Sequence, residues 1–282
     1  MIMPRDDSKK KQADPLMVMR SLERLMGGAA KGKKEKAKAQ DLVYDAWEMV
    51  EPEDALELYL EALELDPSNV DAWLGLLPFR DGDPEEDLAY LRQVVQIGEK
   101  ALGEKVFKQD KGHFWGLLET RPYMRARAML AQRLTELGRL DEAIAENEVT
   151  LELNPNDNQG LRYVLLGGYL AKRRLEDARR LFDRYDECGF STIFAWGKIL
   201  ERFLSGDETG AASALAVARN QNPYAEAYFR GHRKPPKQKP GSYSIGSREE
   251  AIIAFDILGA AWEAYPEARA WLEAIRTKDR HD

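Results

Sequence analysis

Alanines recur along this chain at a nearly fixed interval. Ala89 follows Ala55 after 34 residues, Ala178 follows Ala143 after 35, and Ala212 follows Ala178 after 34. Each alanine sits in the second of two amphipathic runs, and Pro67, Pro155 and Pro223 close three of the pairs. A period of this length marks stacked helix hairpins, because one hairpin cannot bury its apolar face alone and must share it with the next. A small side chain where two helices cross lets their axes approach, and a proline, lacking an amide donor, stops the helix. The expected class is therefore all-α, a solenoid of antiparallel helix pairs.

Taken in order, the chain shows how regular the array is. Residues 1–38 form a basic arm around an amphipathic piece at 16–26, with Leu16, Met19, Leu22, Leu25 and Met26 at helical spacing. That piece either packs on the end of the array or docks on a partner or membrane. In 39–67, Leu42, Ala46 and Met49 are the expected stripe of a first helix, and Ala55, Tyr59, Ala62 and Leu65 line the second. In 70–101, Trp73 and Leu76 open a unit that Pro78 and RDGDPEED shorten, and Asp83 can cap the helix Pro84 starts.

Ala89 and Ala143 are 54 apart, one period plus 20 residues, so 102–122 is an insertion. Phe114, Trp115 and Leu118 are expected to plug a gap there, with Thr120 capping the next helix; the alternative is that His113, Trp115, Arg121 and Tyr123 line a pocket. The central pair, 123–155 and 158–186, has an expected core of Leu130, Leu134, Leu137, Ala143, Ile144 and Leu151 in the first unit and Leu165, Tyr169, Ala178, Phe182 and Tyr185 in the second. Gly167 and Gly168 lie inside a helix, where each glycine costs roughly 1 kcal/mol against alanine. They imply a close approach, by a neighbouring helix or by a ligand backbone. Trp196, Ile199, Leu200 and Phe203 mark the first helix of the last unit. A Pro/Gly linker with Arg230, Arg233, Lys234, Lys237 and Lys239 follows. Ser247 and Glu250 then form a capping-box pattern. They open a final hairpin, whose Trp262 and Trp271 are expected to cover the last exposed face.

Charge separates into blocks. Residues 1–40 carry a net +6, 41–104 a net −15, 105–247 a net +5 and 248–282 a net −3. Cys188 is the single cysteine, which excludes an internal disulfide and suits the cytoplasm. No apolar run reaches the roughly 20 residues of a bilayer span. The histidines at 113, 232 and 281 are far apart, and no phosphate loop or nucleophile motif occurs. No catalysis, metal or cofactor is expected.

The period, the first-helix Trp and Leu, the Ala and aromatic of the second helix and the closing proline together resemble the tetratricopeptide repeat family over about residues 39–223. Further on, NQNPYAEAYFRG, RKPPKQKP and GSREEAIIAFDILGAAW are similar to the suppressor of tumorigenicity seven family, which has membrane spans that this chain lacks. The first resemblance implies a right-handed superhelix whose concave groove holds a peptide or helix of another protein, with 224–282 as loop and helical cap. The groove would be lined by Arg121, Tyr123, Arg125, Gln132, Asn156, Asn158, Arg162 and Tyr163. Repeat clamps for C-terminal carboxylates use Lys, Arg and Asn on the inner face. The positions here, Arg125, Ala128, Met129, Gln132 and Glu136, do not match them. The alternative is a nucleic-acid-associated adaptor using the arm and the 230–239 loop, against which stands a pI near 5.3. Another protein or peptide is the expected partner, and no feature bears on oligomeric state.

Overall fold

Prolines and short polar side chains set where the helices of this chain begin. Pro52, Pro84, Pro122 and Pro266 each fall in a first turn, where a missing amide costs nothing. The structure, a computed structural model, describes residues 32–278, so the amphipathic run at 16–26 lies outside the described residues. Among these residues are thirteen α-helices, three 3-10 segments and no strand. The chain divides into two units, Met1–Arg139 with Glu152–Pro155, and Leu140–Leu151 with Asn156–Asp282. The boundary follows the turn at Gly138, whose φ of 72° favours glycine, inside what the period presents as one array.

In the first unit, α1 (Lys33–Glu48) and α2 (Pro52–Leu65) form a hairpin. The buried stripe of α1 is Ala39, Val43 and Ala46, so Ala46 is buried as expected while Val43 takes the place expected of the half-buried Leu42. Met49 lies beyond the helix and is 40% exposed. Ala55, Tyr59 and Ala62 of α2 are buried as expected. Helix α3 (Val70–Gly75) is short because Pro78 intervenes and the backbone passes into a 3-10 turn at Leu77–Phe79. A Cβ on Gly75 would lie 2.4 Å from the Tyr59 ring, so only glycine lets α3 close on α2.

Helix α4 (Pro84–Gln109) opens on a complete capping box. Asp83 accepts from the Glu85 and Glu86 amides, and Glu86 accepts from the Asp83 amide. It continues well past the expected start of the insertion, broken only at Gly103, where φ is 73°. Two 3-10 turns follow, Phe114–Gly116 and Leu118–Thr120. Phe114 is fully buried with its ring centroid 5.2 Å from Phe107, which makes it the plug, whereas Leu118 is largely exposed. Thr120 does not cap α5 (Arg121–Glu136) through its side chain. Its hydroxyl donates backward to the carbonyls of Phe114 and Leu117, tying the two turns together.

The second unit contains α6 (Leu140–Leu153, all but its last turn), α7 (Leu161–Ala171) and α8 (Leu175–Tyr185). Next come α9 (Thr192–Leu204), α10 (Glu208–Gln221) and the short α11 (Ala225–Phe229), then α12 (Arg248–Glu263) and α13 (Pro266–Lys278). Helix α9 pairs with α10 and also packs on α7, α8, α12 and α13, so it is buried nearly all round. Helix α12 was expected to cap the end of the array. Instead it lies against both α7 and α9, the first helices of two successive pairs. A Cβ on Gly167 would meet the Ile257 carbonyl oxygen of α12 at 2.5 Å, and one on Gly168 would meet Ile144 of α6 at 2.9 Å. The glycine pair thus serves two neighbouring helices. Trp262 of α12 is fully buried with Trp196 and Phe229, and the last two stack at 4.4 Å. Trp271 leans on Phe203 at 5.3 Å.

The start of α12 is pinned by a buried carboxylate. Ser247 caps through the Glu250 amide, but Glu250 does not complete a capping box. Its oxygens accept from the amides of Thr192 and Gly246 and from the Asn222 side chain. One acid therefore joins the first turns of α9 and α12.

Three phenols, buried Tyr90 and Tyr169 and half-buried Tyr163, keep their protons. Burial pushes Tyr90, Tyr163 and Tyr169 above the ordinary tyrosine range. Tyr163 and Tyr169 also donate to Glu187 and Glu148, which disfavours ionisation further. A phenol whose folded pKa is raised favours folding fully below its unfolded pKa, about 10, and loses that contribution as pH rises beyond it. The contribution of these phenols to stability is expected to be constant up to about pH 9 and to fall above about pH 10. In a phenolate absorbance titration, part of the tyrosine signal should appear only with unfolding. A titration completed near pH 10 with helicity intact would contradict this.

Candidate functional site

The polar groups of the first unit gather where α1, α3 and α5 lie side by side. Asp71, in the first turn of α3, is buried among helices that need its backbone, so its carboxylate must find partners. Arg125 of α5 supplies a bidentate pair, Nε to Oδ1 at 2.9 Å and Nη2 to Oδ2 at 2.5 Å. Gln40 of α1 donates to Oδ2 at 3.1 Å and accepts from Asn69 at 3.2 Å, and Asn69 caps α3 through the Ala72 amide. Three helices are thereby locked in register by one chain of hydrogen bonds.

On this face α1 turns two large aromatic side chains to solvent. Tyr44 is 46% exposed and Trp47 is 51% exposed, with ring centroids 5.4 Å apart. The Arg125 guanidinium sits 5.5 Å from the Trp47 ring. In line with them along α1 lies a cavity of about 580 Å³. Its lining combines apolar Val70, Ala101 and Leu102 with Lys33 and Lys36 and with the carboxylates of Asp41, Asp66 and Glu119. Gly98 deepens it, since a Cβ there would touch both Tyr123 and Val70 at 3.0 Å.

Each expected groove residue has a definite place. Arg121 donates to the Trp115 carbonyl and lies over the Trp115 ring, on the rim of the insertion. Tyr123 is buried, its ring 5.4 Å from Phe107 and its hydroxyl accepting from Arg127, so it backs the cavity as a core residue. Arg125 is held by Asp71, and Gln132 is exposed and donates to Glu136 at 2.9 Å. These four belong to the first unit; the other four belong to the second.

There Asn156 and Asn158 are exposed on either side of buried Asp157. Asp157 adopts a φ of 50° and accepts from the Leu161 and Arg162 amides, so it holds the start of α7. Arg162 is committed to a closed cluster. Its guanidinium donates to Asp157 at 2.8 Å, to Glu187 at 2.8 Å and to the Tyr163 hydroxyl at 2.7 Å, and that hydroxyl donates to Glu187. Burial works against the Arg162 charge, but the hydrogen bond and charge of its partners outweigh it and raise its pKa. The cluster fastens the 157 and 187 loops to α7. The face of α7 and α9 that a groove would use is covered by α12.

The linker cations divide similarly. Arg230 is buried against Glu226 and Glu273, and Lys239 pairs with Asp256. Arg219 also binds Glu226; burial raises that carboxyl, yet the two guanidiniums more than offset this and hold it below the ordinary range. Among the described residues, no group of three His, Cys, Asp or Glu side chains could hold a metal ion, and no helix is long and apolar enough to cross a membrane.

Sequence reasoning missed Tyr44, Trp47, Gln40 and Asp71. One signal was present: Tyr44 and Trp47 fall off any single core stripe of α1, and large aromatics beside a core stripe must face something else. No family model matches the chain, and no curated protein matches it.

Proposed function

We propose that this protein is an interaction scaffold that holds a peptide or helix of another protein along the α1–α3–α5 face, and that it performs no catalysis. We read its helix pairs as tetratricopeptide-like repeats of a cytoplasmic protein, on the 34-residue period and the single cysteine. The observation that carries the proposal is the exposed pair Tyr44 and Trp47 beside a cavity, on a face that Asp71 and Arg125 hold rigid. Rigid aromatic side chains at a preformed hollow are what a hot spot needs, since they bury large area with little loss of freedom. Arg125 and Arg162 are poor probes, because truncating either strands a buried carboxylate and unfolds its surroundings.

The test is therefore a Tyr44→Ala/Trp47→Ala variant, compared with the full-length protein in affinity purification and thermal unfolding. Partner recovery is expected to fall at least ~10-fold, the weight of one aromatic hot spot, with an unchanged melting curve. Recovery of the same partners at the same level would overturn the proposal.

A further inference from the structure

Along α1 the charges that line the cavity of the first unit change sign. Lys33 and Lys36 lie nearer the start of α1 and Asp41 lies with Tyr44 toward the other end, while Asp66 and Glu119 add two carboxylates from outside α1. Val70, Ala101, Leu102 and Leu118 give the lining its apolar part, beside the polar Gln40, Ser68 and Asn69. This arrangement opposes the stability of α1 itself. A helix favours acids at its start and bases at its end, by about 0.3–1 kcal/mol each. Helix α1 has Lys33, Lys34 and Lys36 against one acid, Glu35, in its first turn, Asp45 and Glu48 near its end, and no basic residue in its last turn. On balance the charges of α1 run against its dipole.

We propose, resting on the scaffold reading above, that the cavity selects a charge-polar amphipathic helix of a partner protein. An apolar side chain of the partner enters between Val70 and Leu102. A carboxylate of the partner meets Lys33 and Lys36, together with the positive end of the α1 dipole. A guanidinium or ammonium meets Asp41 and packs on Tyr44 and Trp47, which supply both a carboxylate and aromatic faces to a cation. From Lys33 to Trp47 the face runs about 21 Å along α1, the length of a 14-residue helix. A partner helix with acids in its first turn and bases in its last complements these charges when it lies parallel to α1, and its own dipole favours the same order.

The probe is an acetylated, amidated, fluorescein-labelled 14-residue peptide with glutamates in its first turn, leucines at helical spacing and arginines in its last turn. Anisotropy titrations use full-length protein and a Lys33→Glu/Lys36→Glu/Asp41→Arg variant, all three positions lying on the surface. The wild type should bind this peptide at least ~10-fold more tightly than a version with Gln at every charged position. The variant should prefer the peptide with Glu and Arg exchanged. Equal binding of charged and neutral peptides by the wild type, or an unchanged order in the variant, would overturn the charge selection and leave the scaffold reading standing. If no peptide binds and Tyr44→Ala/Trp47→Ala leaves partner recovery unchanged, both fall. A dimer in sedimentation that Trp47→Ala dissociates would assign the face to a second copy. Crosslinks from residues 1–31 to Asp41 that the peptide does not displace would assign it to the chain's own arm. Either overturns the proposal.

Discussion

Trp262→Ala is expected to destabilise the second unit by about 3–5 kcal/mol, the usual loss for a large aromatic side chain removed from a packed core. Trp262 is fully buried, and its ring lies within 5.8 Å of both Trp196 and Phe229 by ring centroids. Removing it opens a hollow where α9, α11 and α12 meet, and neither stacked neighbour can relax into the gap without breaking the 4.4 Å pair. Against a total domain stability of 5–15 kcal/mol this is a large fraction. Urea unfolding followed by far-UV circular dichroism measures it. A loss under about 1 kcal/mol, the range of surface changes, would mean that α12 is a removable lid on α7 and α9 and that their face is available to a ligand.

Gly167→Ala and Gly168→Ala, adjacent changes in one helix, are expected to differ by about 1–3 kcal/mol. By helix propensity alone both should stabilise α7 by up to about 1 kcal/mol. At Gly167 the new methyl would stand 2.5 Å from the backbone oxygen of Ile257, so α12 as a whole must move away. At Gly168 it meets Cγ1 and Cδ1 of the Ile144 side chain, which can turn aside. The first substitution should therefore destabilise and the second should be near neutral. Equal midpoints for the two variants would show that α12 does not seat on α7 as described.

The parts of the fold that local chemistry controls were legible in the residues. Asp83 before Pro84 can only start a helix, Pro78 can only shorten one, and Ala55 with Tyr59 marks a helix crossing whatever surrounds it. Phe114 was recognisable as a plug only together with Trp115 and Leu118, and the sequence did not show that Phe114 would be the one fully buried and Leu118 exposed. The candidate site was far less legible. Of the eight groove residues, Tyr123 turned inward, Arg125 and Arg162 were taken up by buried carboxylates, and the face bearing Arg162 is that of a helix covered by α12. An arginine has the same appearance in a sequence whether it waits for a ligand or neutralises Asp71 from 54 residues away. That distinction depends on which charges fold beside it.

The sequence by itself determined most of the helices and the pairing of α1 with α2, α7 with α8 and α9 with α10. Those follow from periodicity, capping and proline, which act over fewer than about ten residues. Tertiary structure alone decided where α12 lies, because its apolar face would fit either the end of an array or the flank of α7 and α9. The choice fell to Gly167, whose missing side chain admits the Ile257 backbone, and to Glu250, whose carboxylate ties two helix starts together. Tertiary structure alone also decided which face stayed open. Long-range packing buried one candidate surface and left Tyr44 and Trp47 in solvent at the other, and both outcomes rest on contacts between residues far apart in the chain.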